Sequence, residues 1–191
     1  MDFESTMPFD ASLYGDPVAR LLALDGDGNR LIPLVAGGPS SDEAYRQLKG
    51  ATAKDLFPRS AAPAGALAGL WLYFSCFEES HQVAQDDSSA EGSFWHAILH
   101  RQEPDSGNSA YWFRRVGSHP VFAILVDAAA GIVKRYPEAE YRPSVKWDPF
   151  GFILFCERAR QQPGSPSEQA ALEIQRAEWQ LLFDYCARPK Q

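Results

Sequence analysis

The stretch AGALAGLWLYFSCFEESHQVAQ, residues 64–85, decides the fold class of this 191-residue chain. Its large apolar side chains recur at steps of three and four, which is the period of one face of an α-helix. The residues on that face are Leu67, Leu70, Trp71, Phe74, Phe77, Glu78, His81 and Gln85. The stretch therefore predicts one helix whose apolar face is continued by three polar side chains.

Helix start and stop signals extend this interpretation in both directions along the chain. Side chains that cap helix N-termini precede most periodic segments, and prolines or glycines follow them. The predicted starts are Ser40 with Glu43, Thr52 with Asp55, Ser93, Asn108, Ser118, Asp148-Pro149 and Ser165-Pro166. No segment alternates as a strand would. The sequence predicts a mainly all-α protein, an irregular multi-helix bundle, with little strand.

The first 39 residues differ from the rest because glycines and prolines interrupt them every few positions. We expect residues 1–39 to form an extended or irregular N-terminal arm on a helical domain of residues 40–191, within a single domain overall. The spacing of Asp25, Asp27 and Asn29 suggests a calcium loop. However, Arg30 and Ala36 stand where such a loop needs glycine and glutamate, so we predict a turn instead.

Composition excludes several classes of protein. Apolar residues make up 45% of the chain and charged residues 23%, which is typical of a globular domain. A net charge of −7 argues against binding to nucleic acid. Three widely spaced cysteines in apolar runs, no export signal in residues 1–10 and no apolar run long enough to span a bilayer predict a cytoplasmic protein without membrane contact.

The candidate chemistry lies in one window, because all four histidines fall between residues 81 and 119. His96 and His100 are one helical turn apart, and Glu103 continues their face. Glu78 and His81 have the Glu-x-x-His spacing of metal sites in helical bundles. The pattern predicts metal ligands at Glu78, His81, His96 and His100 for zinc, iron or manganese, with His96, His100 and Glu103 as catalytic residues. Because a short turn would join the two helices, we expect His81 to lie beside His96.

A second set of polar and aromatic residues follows these histidines. Arginines beside aromatic rings near a helix N-terminus are typical of sites that bind anionic or sugar-like ligands. The candidate substrate-binding residues are Asp105, Asn108, Tyr111, Trp112, Arg114, Arg115 and His119. In the structural alternative, Arg101, Arg114 or Arg115 instead neutralises Glu78, Glu103 or Asp105, and the histidines only complete helix contacts.

The same window resembles a motif found in a family of uncharacterised bacterial and fungal proteins. The residues that carry the resemblance are GSFWHAILHRQEPD (92–105), Asn108, YWFRRVG (111–117) and His119-Pro120, with Glu79-Ser80-His81 and Gln85 before them. The resemblance covers roughly residues 70–122. It implies that this window matters, and it implies no particular reaction.

Three functions stay open at the level of sequence. The protein is a metal-dependent or acid–base enzyme that acts on a small anionic or polar substrate, a non-catalytic module that binds such a ligand, or an interaction protein with a buried polar network. In the last case the amphipathic final helix offers a surface for a homo-oligomer.

Overall fold

A computed structural model describes residues 9–189, and within them the protein is helical and has no β-strand. The ten α-helices of these residues are α1 (Asp16–Leu22), α2 (Asp42–Lys49), α3 (Ala53–Leu56), α4 (Pro63–Tyr73), α5 (Phe77–Asp86), α6 (Ala90–Gln102), α7 (Ser106–Val116), α8 (Val121–Arg135), α9 (Pro149–Ala159) and α10 (Pro166–Ala187). Short 3₁₀ turns occupy Ala11–Tyr14 and Ala23–Asp25. The prediction of a mainly all-α fold is confirmed.

The stretch that predicted one helix forms two, because the chain turns at Ser75. Its φ angle of 56° is in the left-handed region. The amide of Ser75 donates to the carbonyl of Leu72, and the amide of Cys76 donates to that of Trp71. This pair of hydrogen bonds is a Schellman motif, which ends helices most often at glycine. A serine at this position gave no stop signal, and so the expectation of a continuous helix was wrong.

Several helix starts were misplaced by one to four residues. Ser41 rather than Ser40 caps α2 by accepting from the amide of Ala44. Asp105 rather than Asn108 caps α7, and Ser89 caps α6. Helix α8 has no side-chain cap, although Ser118 was expected to provide one. Neighbouring residues with similar capping ability explain these shifts, because tertiary packing selects between them.

Other caps agree with the sequence. Thr52 and Asp55 form a reciprocal capping box at α3. Asp148 caps α9, and Ser165 caps α10, each just before a proline. These signals are local, so the sequence was sufficient to predict them.

Helix α6 is the central helix, and every residue from Gly92 to Gln102 is buried. It packs against α4, α5 and α7, while α10 packs against α4 and α8. Gly69 in α4 permits a close approach of α6, because a Cβ atom there would lie 2.6 Å from Cζ2 of Trp95. The Gly69 carbonyl also accepts a 2.7 Å hydrogen bond from the Trp179 indole of α10. Helices α4, α6 and α10 thus meet at this glycine.

The N-terminal arm contains α1 and the two 3₁₀ turns, and residues 1–8 of the predicted arm lie outside the described part. Val18, Leu22 and Ile32 of the arm belong to the same buried apolar cluster as the helices of the body. Residues 25–29 form a turn, as predicted, closed by the Tyr73 hydroxyl, which accepts from the amide of Gly28 at 3.0 Å.

The three cysteines, Cys76, Cys156 and Cys186, are free and buried, which agrees with the apolar runs in which they lie. Among the described residues, no helix is both long and apolar enough to cross a membrane.

Candidate functional site

Three histidines from two helices meet at one place. His81 comes from α5, and His96 and His100 come from α6, where their spacing places them on one face. One ring nitrogen of each lies within 4.8 Å of the other two. The two Nε2 atoms of His81 and His96 are 2.9 Å apart. The predicted approach of His81 to His96 is confirmed, and His100 belongs to the same group, which we call the histidine cluster.

A short turn between α5 and α6 explains this convergence. Helix α5 ends at Asp86 and α6 begins at Ala90, so only three residues join them. A Cβ atom on Gly92 would lie 2.2 Å from the carbonyl oxygen of Asp87, and therefore the turn requires glycine at that position. Two antiparallel neighbours joined so closely bring the last turns of α5 beside the first turns of α6.

Aromatic stacking fixes the orientation of the rings. The ring of His96 lies between those of Trp112 and His100, at centroid distances of 3.9 and 4.9 Å and nearly parallel to both. His81 meets His96 edge to face at 4.4 Å, and Phe77 stacks on His81 at 6.0 Å. The nitrogens are thus held near one another by packing against rigid rings, before any ligand is present.

Hydrogen bonds fix the tautomer of His100. Oε2 of Glu103 lies 2.8 Å from Nδ1, and because a carboxylate only accepts, Nδ1 carries the hydrogen. Nε2 of a neutral ring then keeps its lone pair. Nδ2 of Asn108 lies 3.0 Å from Nε2 and 3.3 Å from Nδ1, and so it is placed over the ring rather than along that lone pair. A carboxylate that orients a histidine in this way is typical of the outer shell of metal sites.

Burial keeps two rings of the cluster neutral. It lowers the pKa of His96 to about 4, and the charges of His81 and His100 lower that pKa further. Burial and His100 also lower the pKa of His81, although Glu103 and Glu78 oppose that shift. Neutral imidazole is the form that binds a metal. Nδ1 of His96 is buried and has no hydrogen-bond partner among the described residues.

Glu78, the fourth predicted metal ligand, is exposed on α5, and its carboxylate is not one of the convergent ligand atoms. Asp105 caps α7 by accepting from the amide of Asn108 at 3.0 Å, which positions that helix beside the cluster. Tyr111 is 49% exposed and meets Trp112 edge to face. Of the predicted rim, Asn108 and Trp112 therefore contact the histidines directly.

Both arginines of α7 are exposed. The guanidinium of Arg114 lies over the ring of Phe150 in α9, and that of Arg115 lies over Trp112. Within residues 9–189 neither arginine forms an ion pair with Glu103 or Asp105. The ion pair that the structural alternative expects of Arg114 or Arg115 is therefore absent from the described residues.

His119, the last predicted rim residue, lies outside the histidine cluster. It is buried, its Nδ1 accepts from the amide of Val121 at 3.3 Å, and its Nε2 is 3.7 Å from Oε1 of Glu91. Its ring packs against Phe94 and Tyr185. Burial lowers the pKa of His119, although Glu91 opposes the shift. His119 is therefore a core histidine near the start of α8.

An ion pair that the sequence did not predict lies beside the cluster. Arg101, the neighbour of His100, pairs with Glu178 of α10, and both side chains are at most 1% exposed. Gln175 accepts a further hydrogen bond from Arg101 at 3.2 Å. Burial lowers the pKa of Arg101, but the surrounding groups, chiefly the Glu178 carboxylate, together outweigh burial and raise that pKa. The partners are 77 residues apart in the chain, and helical periodicity carries no information over such a distance.

The three histidine nitrogens are close to the arrangement of a three-histidine metal site, and small changes in their separations would complete it. Tetrahedral zinc with Zn–N bonds of about 2.0–2.1 Å separates two ligand nitrogens by roughly 3.4 Å. The widest separation here is within 4.8 Å, and the closest pair is at 2.9 Å. Small rotations of the rings would therefore bring three donors to one ion. Three ligands leave a coordination position open, as in catalytic zinc sites.

Comparison of the chain with family models, with curated proteins and with solved structures finds no match.

Proposed function

We propose that the histidine cluster binds one divalent metal ion, zinc before iron or manganese, and that the protein uses it in chemistry on a small polar substrate. The observation that carries the proposal is the convergence of three ring nitrogens within 4.8 Å. Imidazole is a preferred ligand of zinc, and the two rings with lowered pKa values are ready to coordinate without losing a proton.

Hydrolysis is the reaction class that this arrangement favours. Zinc held by three histidines lowers the pKa of a bound water to about 7 and polarises carbonyl groups. Glu103 supports the site by accepting from Nδ1 of His100, which raises the basicity of that ligand. Arg115 lies against Trp112, which stacks on His96, and so it is the arginine of α7 best placed to attract an anionic group of a substrate.

Metal content tests the proposal directly. Protein purified without a histidine tag, equilibrated with zinc and freed of excess ion, should contain about one zinc ion per chain by elemental analysis. Variants His81→Gln, His96→Gln and His100→Gln should each lose most of it. His119→Gln is the matched control, because it removes a buried histidine outside the cluster, and it should retain the metal. Substoichiometric metal in the wild type would contradict the proposal.

The short contact between His81 and His96 favours a second candidate, in which the cluster is structural. Two neutral imidazoles at 2.9 Å satisfy one another by a hydrogen bond without any ion. That reading predicts a loss of roughly 1 to 3 kcal/mol in the free energy of unfolding of the metal-free His100→Ala variant. Unchanged or increased stability, measured by urea unfolding with a chelator present, favours the ligand-binding role instead.

A further inference from the structure

A cavity of about 460 Å³ lies between α1 of the N-terminal arm and the segment that carries α2 and α3. Leu21 of α1 and Leu56 of α3 line it and are buried. Sites that hold small molecules typically have volumes of about 300–1,000 Å³ and a mostly apolar lining, and this cavity has both properties. None of its lining residues belongs to α5, α6 or α7, so the cavity is separate from the histidine cluster.

A second concavity of about 210 Å³ continues the first, because Pro17 and Leu56 line both. Leu24 lines the first cavity and Leu13 the second, and these side chains are 41% and 47% exposed. A large apolar side chain that is half exposed favours a ligand that removes it from water. The two cavities form one elongated apolar groove, which we call the arm groove, and its shape suits a linear hydrocarbon chain.

Charge distinguishes the two ends of the arm groove. Arg20 lines the first cavity, is exposed and forms no ion pair within residues 9–189. Among the described residues, no acidic side chain lines that cavity, and the other polar residue there is Gln47. Arg59 lines the second cavity together with Asp55. An anionic group is therefore drawn to Arg20 rather than to Arg59, because no carboxylate of the lining competes for it and the forked guanidinium matches a carboxylate.

We propose that the arm groove binds a single-chain amphiphile, with its hydrocarbon chain against Leu21 and Leu56 and its carboxylate on Arg20. Medium-chain fatty acids have this chemistry. Each methylene that the groove removes from water contributes roughly fourfold in affinity. An ion pair at the exposed rim adds at most about fivefold. The chain thus supplies most of the affinity, and Arg20 selects the head group and the orientation of the ligand.

Equilibrium dialysis of the full chain with decanoate and decanol, each below the concentration at which it self-associates, tests the proposal. Octanoate should bind about fifteenfold more weakly than decanoate, because it has two methylenes fewer. Arg20→Gln should weaken decanoate binding about fivefold and leave decanol binding unchanged, since decanol has the chain without the charge. Arg20→Lys keeps the charge and should retain most of the affinity for decanoate.

Two further variants serve as controls, and both replace exposed residues, so both should fold. Arg59→Gln removes an arginine from the other end of the arm groove and should change neither affinity. Leu24→Asn removes an apolar side chain from the first cavity and should weaken both ligands, because each places its chain there.

Several outcomes would overturn the proposal. One is a wild-type protein that does not bind decanoate, and another is an equal loss of decanol affinity in Arg20→Gln. A loss of decanoate affinity in Arg59→Gln in place of Arg20→Gln would show that Arg20 does not hold the carboxylate. Sedimentation of the unliganded chain as a dimer that decanoate does not dissociate would assign the groove to a second copy. All of these measurements are made without zinc, so they are independent of the proposed metal site.

Discussion

Two buried polar groups lie on different faces of α6, and they differ in how their charges are paired. On the side of α10, the cation of Arg101 meets the carboxylate of Glu178 and the amide oxygen of Gln175, and the ring of Phe152 lies 4.6 Å away. On the side of α5 and α7, the histidine cluster meets one carboxylate, that of Glu103 at its edge, and Nδ1 of His96 has no partner within residues 9–189. One buried nitrogen on each face, Nε of Arg101 and Nδ1 of His96, has no partner among residues 9–189, so the difference lies in charge. A matched buried ion pair is typical of structure, whereas a group of imidazoles without a matched counter-charge retains the capacity to bind a ligand.

The largest expected effect comes from breaking the ion pair of Arg101 and Glu178. Glu178→Gln leaves the Arg101 cation buried without a counter-charge, and the free energy of unfolding should fall by roughly 3–5 kcal/mol in urea. The exposed pair of Glu43 and Arg46 provides the control, because solvent screens this pair and Glu43→Gln should leave the midpoint of urea unfolding nearly unchanged.

A double variant checks the reason for that loss. Replacing Arg101 and Glu178 together by methionine removes both charges, and it should recover most of the stability that Glu178→Gln loses. A double variant as unstable as the single one would show that the pair does more than neutralise itself.

The next largest effect is on the stability that a metal ion would confer through the histidine cluster. If the cluster binds zinc as proposed, zinc at a hundred times its dissociation constant should stabilise the wild type by about 2.7 kcal/mol, because a ligand of the folded state alone shifts the unfolding equilibrium by that amount. The increment should persist in the double methionine variant and vanish in His96→Gln, as measured by thermal unfolding at matched zinc concentrations. Equal stabilisation of His96→Gln would place the ion elsewhere and remove the contrast between the two sides.

Lowering the pH should reduce the free energy of unfolding of the metal-free protein, because His96 takes up a proton more readily in the unfolded state. His96 has a folded pKa of about 4, below the value of about 6.5 for an exposed histidine, so the unfolded state binds more protons between these values. Stability is therefore fully present above pH 6.5 and is lost as the pH falls toward 4. His96→Gln should flatten this part of a stability–pH curve. An unchanged slope would mean that His96 is not held neutral.

The smallest effect concerns a hydrogen bond between α6 and α7, two of the helices that form the site. Ser109→Ala removes the hydrogen bond from α7 to the Ala97 carbonyl of α6 and should cost about 1 kcal/mol in urea unfolding. Ser88→Ala, at an exposed position in the α5–α6 turn, should change stability by less than about 0.5 kcal/mol.

The two sides also differ in how far the sequence predicted them. His81, His96 and His100 were identified because a three-to-four residue period places them on facing helices joined by a short turn. The pair of Arg101 and Glu178 was missed, because it depends on the position of α10 in the folded molecule, where it packs on α4 and α8. The turn at Ser75 was missed as well, since a serine in the left-handed region leaves no local signal.

Asn108 and the arginines show the same limit within the site. The sequence placed them together on α7, but it did not distinguish the contact of Asn108 with His100 from the exposed positions of Arg114 and Arg115. Side-chain torsions and the rotation of α7 about its axis decide that difference, and neither follows from spacing alone.

The separation of partners along the chain gives the two sides of α6 different folding costs. The contact of His81 with His96 closes a loop of 15 residues, whereas that of Arg101 with Glu178 closes one of 77. The longer closure costs about 1.4 kcal/mol more in chain entropy. The histidine side is thus the local, low-contact-order part of the molecule, whose partners meet without waiting for α10. Docking of α5 against α6 can therefore precede docking of α10, and a metal ion that binds the histidines once these two helices have met would make refolding faster with zinc than without it.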